Sequence, residues 1–157
     1  MTDADDTITA FCAGEDATAG LRGSGRALVG LKRDPAGASV IHLVFRFEDD
    51  GAARFVAQAA EILDRCSSVP DATGLAFEYE PIGAGLDEIV AAATDAHVTR
   101  HGVSVGSGSL RIDLAVFHRG DIGELVAVLG VDLPREEIDL LATAAFTTAV
   151  DRLAAGP

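Results

Sequence analysis

The stretch VIHLVFRFEDDGAARFVAQAAEILDRC, residues 40–66, changes period once, and that change decides the fold. In its first half Ile41, Leu43, Phe45 and Phe47 recur at every second position, with Val40, His42, Val44 and Arg46 between them. Period two is the signature of a strand with one face in the core. Beyond Asp49 and Asp50, either of which can cap a helix, Phe55, Ala59, Ile62, Leu63 and Cys66 recur at helical spacing. Arg54, Gln58, Glu61 and Asp64 lie largely outside that stripe. A strand therefore runs into a helix over about 50–66.

Toward the N-terminus, RALVGLK alternates weakly, and RDPAGAS (33–39), with Pro35 and Gly37, predicts the turn that joins it to the strand at 40. AGEDATAGLRGSG reads as loop and TITAFC as a short strand. Toward the C-terminus, LAFEYEPI alternates, with Leu75, Phe77 and Tyr79 on one face and Glu78 and Glu80 on the other. LDEIVAAATDAHVTR is ambiguous. Its alanines favour helix, but Val90, Ala92, Thr94, Ala96 and Val98 fit one side of a strand, and a strand is the reading adopted. HGVSVGSGS is then a hairpin loop.

LRIDLAVFHRGDIGELVAVLG resolves into two strands. Leu110, Ile112, Leu114 and Val116 share a face opposite Arg111 and Asp113, and Leu125, Ala127 and Leu129 line a face after the turn. The last segment is the clearest helix. Asp132 can cap it, Pro134 fits its first turn, and Ile138, Leu141, Ala142, Ala145, Phe146, Ala149 and Leu153 form the apolar stripe. Runs of strands with helices set apart predict an α+β fold: an antiparallel sheet of about six to seven strands with two helices (about 50–66 and 133–154) packed on one face. Residues 1–157 read as a single domain, with residues 1–6 as a disordered tail.

With 25 acidic against 12 basic residues, the formal net charge is −13. Such a surface repels phosphate backbones, so no nucleic-acid partner is expected. No apolar run approaches the ~20 residues of a membrane span, and residues 1–6 lack the basic and apolar regions of a signal peptide. The membrane is expected to matter only through an anchor outside this chain. The two cysteines, Cys12 and Cys66, are not in a C-x-x-C pattern. That argues against zinc or a thioredoxin-like pair and leaves two free thiols or one disulfide as alternatives.

The conspicuous motifs have bland explanations. Arg119-Gly120-Asp121 lies between two apolar strands, where Gly-Asp suits a hairpin turn. His97 and His101 have i,i+4 spacing but lack the Glu of a metalloprotease motif, and on a strand their rings need not converge. GLRGSG has glycines, but no helix pattern follows to make a phosphate loop. No catalytic constellation, metal site or cofactor motif emerges. The candidate site is the polar side of the sheet, where His42, Arg46, Arg111 and Asp113, together with Glu78 and Glu80, fall opposite core positions. Two arginines on one face could hold an anionic ligand group. The alternative is a solvated face laced with ion pairs.

Three stretches resemble a known family when taken in order. These are 40–66, ending on Cys66; LDEIVAAATD; and RIDLAVFHRGDIGELVAVLG, followed by the helix that closes on Arg152-Leu153. Together they resemble the sensor-like domains of actinobacterial surface lipoproteins and the PknH-like extracellular sensor domains, over about residues 7–154. The resemblance implies an extracytoplasmic, non-enzymatic α+β domain that binds an unknown small molecule or cell-envelope partner. It also implies a Cys12–Cys66 disulfide. A cytosolic binding protein or enzyme of similar shape is the alternative. The chain departs from the kinase sensor domains in lacking their further cysteines.

Overall fold

The computed structural model describes residues 10–11, 15–33, 37–66, 78–79, 85, 88–89, 95–105 and 107–155. The strands are β1 (Ala10–Phe11), β2 (Glu15–Asp16), β3 (Gly23–Arg33), β4 (Ala38–Phe47), β5 (Glu78–Tyr79), β6 (Asp95–Val105), β7 (Gly108–Arg119) and β8 (Ile122–Val131). The helices are α1 (Gly51–Cys66) and α2 (Arg135–Ala155). β1 and β2 form a separate two-stranded ribbon. The main sheet has the order β3-β4-β8-β7-β6-β5, and every neighbouring pair is antiparallel. The chain leaves β4 through α1, crosses to the far edge, and returns by the β6-β7-β8 meander, which lays β8 beside β4.

The period-two pattern of β4 is obeyed. Leu43, Phe45 and Phe47 are buried with Ala52, Phe55, Val56, Ala59, Ile62 and Leu63 of α1, and with Leu114, Val116, Leu125 and Ala127 of the meander. Phe45, Phe47 and Phe55 form the centre of this layer, with ring centroids 5.2–5.7 Å apart. Offset ring pairs at such spacing add to the stabilisation from burial alone.

The expected placement of both helices on one face is corrected by the structure. α2 lies on the opposite side of the sheet from α1, where Ala142, Phe146, Ala149 and Val150 bury against Ala115, Phe117, Val126 and Val128. Leu114 and Val116 thus face α1 while Ala115 and Phe117 face α2, as the alternation of side chains along a strand requires. The strands that carry the helices are a four-stranded antiparallel block, β4-β8-β7-β6. The expectation of six to seven strands in one helix-covered layer is corrected accordingly. β1 and β2 stand apart, and β5 is two residues long. The physical reason is visible in β7 and β8. Residues 113–118 and 123–128 are buried without a break, the mark of strands covered on both faces.

Local boundaries differ in three places. Residues 101–105, expected as hairpin loop, continue β6, and β7 begins at Gly108. Glu88 and Ile89 are helical rather than extended, while residues 90–94 of the same expected strand lie outside the described residues. The carboxylate of Asp132, expected as a helix cap, accepts a hydrogen bond from the Ser109 N–H at 2.7 Å. The carbonyl of Pro134 instead accepts from the N–H groups of Glu137 and Ile138. α2 comes close to β8 at Gly130, where a Cβ would meet Ile138 Cδ1 at 2.6 Å.

Candidate functional site

The sheet face expected to be open and polar is the one α2 covers, and its polar residues are divided among separate partners. The largest group is built by register. With Val105 paired to Gly108, Arg100 falls directly opposite Asp113. Arg100 is fully buried and Asp113 is 1% exposed. Arg100 Nε donates to Asp113 Oδ1, and Nη2 donates to Asp113 Oδ2 and to Asp139 Oδ1 on α2. This is the bidentate geometry in which guanidinium and carboxylate match best. Asp139 reaches the cluster from the first turns of α2, its side chain 35% exposed. The hydrogen bonds that Arg100 donates to Asp113 above all, with that to Asp139 assisting, hold the Arg100 pKa above its ordinary value against the opposing effect of burial. The third nitrogen, Nη1, has no partner among the described residues.

Farther along the same face, His42 Nε2 lies 2.6 Å from Glu124 Oε2, across the β4–β8 pair. Glu124 is buried and sits in register with Val44 and Phe117. At the end of β4, Arg46 Nε lies 3.0 Å from Asp121 Oδ2, and both side chains are about half exposed. At the other end, Arg111 Nη1 donates to the carbonyl of Leu133 at 3.1 Å.

Of the residues singled out from sequence, the structure places His42, Arg46, Arg111 and Asp113 on one face but does not gather them. Arg46 is in register with Ile122 and Arg111 with Gly130. Eight positions along β8 separate them, roughly 27 Å at the usual rise per residue. One anion cannot touch both guanidinium groups. The Glu78 side chain and all of Glu80 lie outside the described residues, as do Cys12 and the Cys66 side chain.

Two further histidines face the α1 side. His118 Nε2 lies 3.1 Å from Asp95 Oδ2, its register partner, and His97 Nε2 lies 3.4 Å from Asp64 Oδ1 of α1. The tripeptide at 119–121 is the β7–β8 turn. Arg119 pairs with Ile122, and Gly120 at φ 60° occupies the first of two loop positions, as a type II′ turn requires. The Asp121 carbonyl accepts the Phe47 N–H at 2.8 Å, which ties this turn to the end of β4.

Sequence reasoning missed Arg100, Glu124 and Asp139. The signal for the first was present: an Asp between apolar neighbours on a central strand needs a cation, and the correct hairpin register supplies one. Chemically, these groups form closed pairs, and no set of three or more His, Cys, Asp or Glu side chains among the described residues is arranged to hold a metal ion. No described helix is long and apolar enough to cross a membrane.

No family model matches this sequence, and no curated protein matches it. Among solved structures, the chain is similar to the extracellular domain of PknH from Mycobacterium tuberculosis, with a TM-score of 0.56 and 14% identity. The match covers 94% of this chain and 75% of that one. At this identity the likeness is one of fold, and in fold the chain is similar to that extracellular domain.

Proposed function

We propose that the chain is an extracytoplasmic, sensor-like domain that binds a small molecule or a cell-envelope partner and catalyses no reaction. The observation that carries this reading is the likeness to the PknH extracellular domain along 94% of the chain. The acidic surface, with a net charge of −13, fits a role that does not involve nucleic acid. The pairing of His42 with Glu124 and of Arg100 with Asp113 and Asp139 also fits. Acid–base groups already engaged with each other within a packed layer serve stability before they serve chemistry. The resemblance also supports a Cys12–Cys66 disulfide as the covalent tie of an exported domain.

The test is capture. Protein purified without denaturation is examined by native mass spectrometry and by melting against pooled small molecules extracted from cell envelopes. The reading expects a retained or added molecule that raises the melting temperature, or a specific envelope protein that does so. A molecule that is chemically converted during the incubation would overturn it in favour of an enzyme.

A further inference from the structure

Among the described residues, the longer of the two edges of the main sheet is the outer side of β3. β3 is eleven residues long, stands at the end of the sheet order, and has β4 as its strand neighbour on the inner side. Among the described residues, no strand pairs with its outer side. Alternate residues of an antiparallel strand direct their backbone groups to one neighbour, so about five residues of β3 present N–H and C=O groups outward. Such an edge is a template for an added strand.

Its charge is opposite to that of the protein. In a chain of net charge −13, residues 17–33 contain no acidic residue, while Arg22, Arg26, Lys32 and Arg33 supply four of the twelve basic ones. Three of these four lie within β3 itself. The same charge selects the occupant. A second copy pairing β3 against β3 would bring together two segments of net positive charge, which like-charge repulsion opposes. An extended acidic segment gains both the backbone ladder and the complementary charge. We infer that the β3 edge is a docking site for an acidic, extended polypeptide segment of a partner protein, which adds to the sheet as a seventh strand. This goes beyond ligand binding by the domain and stands whether or not the domain is a sensor.

The probe is a synthetic nine-residue peptide, blocked at both ends, in which four Glu alternate with Thr and Val. Its control has the same sequence with alternate backbone nitrogens methylated, which keeps the charge and removes the ladder. Fluorescence anisotropy should show the Glu peptide binding, with affinity falling about ten-fold or more between 20 and 300 mM salt as the charges are screened. The methylated peptide should not bind. Its addition should leave the β3 amides exchanging as before, whereas the Glu peptide should slow them. The variant R26E/K32E, checked for folding by circular dichroism, should lose binding at least ten-fold, and R26Q/K32Q should fall between. If R26E/K32E does not fold, the contrast between the two peptides on the unaltered protein decides. Equal binding of both peptides would overturn the proposal, because charge alone would then suffice. Absence of binding at millimolar peptide, or displacement of the peptide by the protein's own dimerisation, would overturn it as well.

Discussion

Asp113→Ala isolates the energetics of the buried charge cluster. The substitution removes both acceptors of the bidentate pair and leaves Arg100, with no exposed surface, bound only through Nη2 to Asp139. Asp139 is itself 35% exposed and shares its charge with water. Breaking a buried pair from one side costs about 3–5 kcal/mol, because the remaining charge is stranded. That is a large share of the ~5–15 kcal/mol that holds a typical domain together. For a chain of this length it corresponds to a fall in Tm of roughly 6–20 °C.

Arg100 cannot escape by losing its proton. Its folded pKa is raised above the ordinary arginine value by the hydrogen bonds to Asp113, so its contribution is fully present below the unfolded value and is lost only as pH rises through the still higher folded one. The cost of Asp113→Ala should therefore not be relieved by Arg100 anywhere between pH 6 and 9. Urea unfolding followed by circular dichroism gives the measurement, with an unchanged m-value as the sign that the states compared are the same. The double variant R100M/D113L, which replaces the pair by apolar groups of similar size, should recover to within about 1 kcal/mol of the parent. An Asp113→Ala variant within 1 kcal/mol of the parent, or a double variant worse than the single one, would refute the reasoning.

Further outcomes follow from other parts of the fold. Asp121→Ala should lower stability by about 1 kcal/mol or less, since its ion pair with Arg46 is half exposed, and should leave partner binding unchanged. Loss of binding at an unchanged Tm would make the 119–121 turn a recognition element. Spin labels on unnatural keto side chains at the exposed positions 61 and 147 should report helices with the sheet between them. The axes would then lie roughly 20 Å apart, rather than the 8–10 Å of helices packed side by side. Thiol titration of the denatured, unreduced protein should find no free thiol if Cys12 and Cys66 are joined. Reduction of that bond should then lower stability by about 4 kcal/mol on chain-entropy grounds.

The sequence made the local elements legible where one period dominated. Residues 40–66 carry a period-two run followed by a helical one, and the structure has β4 and α1 there. The layering is not legible from a period-two pattern in β7 and β8. Their cores, Leu114-Ala115-Val116-Phe117 and Leu125-Val126-Ala127-Val128, are unbroken apolar runs, and an unbroken run on a strand asks for cover on both sides. Reading those runs as alternating made the α2 face look polar and open. His42, Arg46, Arg111 and Asp113 share a face by alternation, but their spacing along it depends on strand register, which periodicity does not carry. Arg100 was hidden for a related reason. Gly102, Ser104, Gly106 and Ser107 have loop composition, yet β6 continues through residue 105, and only that longer hairpin sets Arg100 opposite Asp113.

An extracytoplasmic domain lies beyond the cytoplasmic membrane, and protease accessibility reads this directly. Intact cells of the source organism, expressing the gene in its natural form, are treated with a non-penetrating protease and probed with an antibody raised against residues 1–157. An extracytoplasmic sensor-like domain predicts that the signal is lost from intact cells while a cytosolic marker survives. A domain that stays protected until the cells are lysed would contradict the account and return the chain to the cytosolic reading.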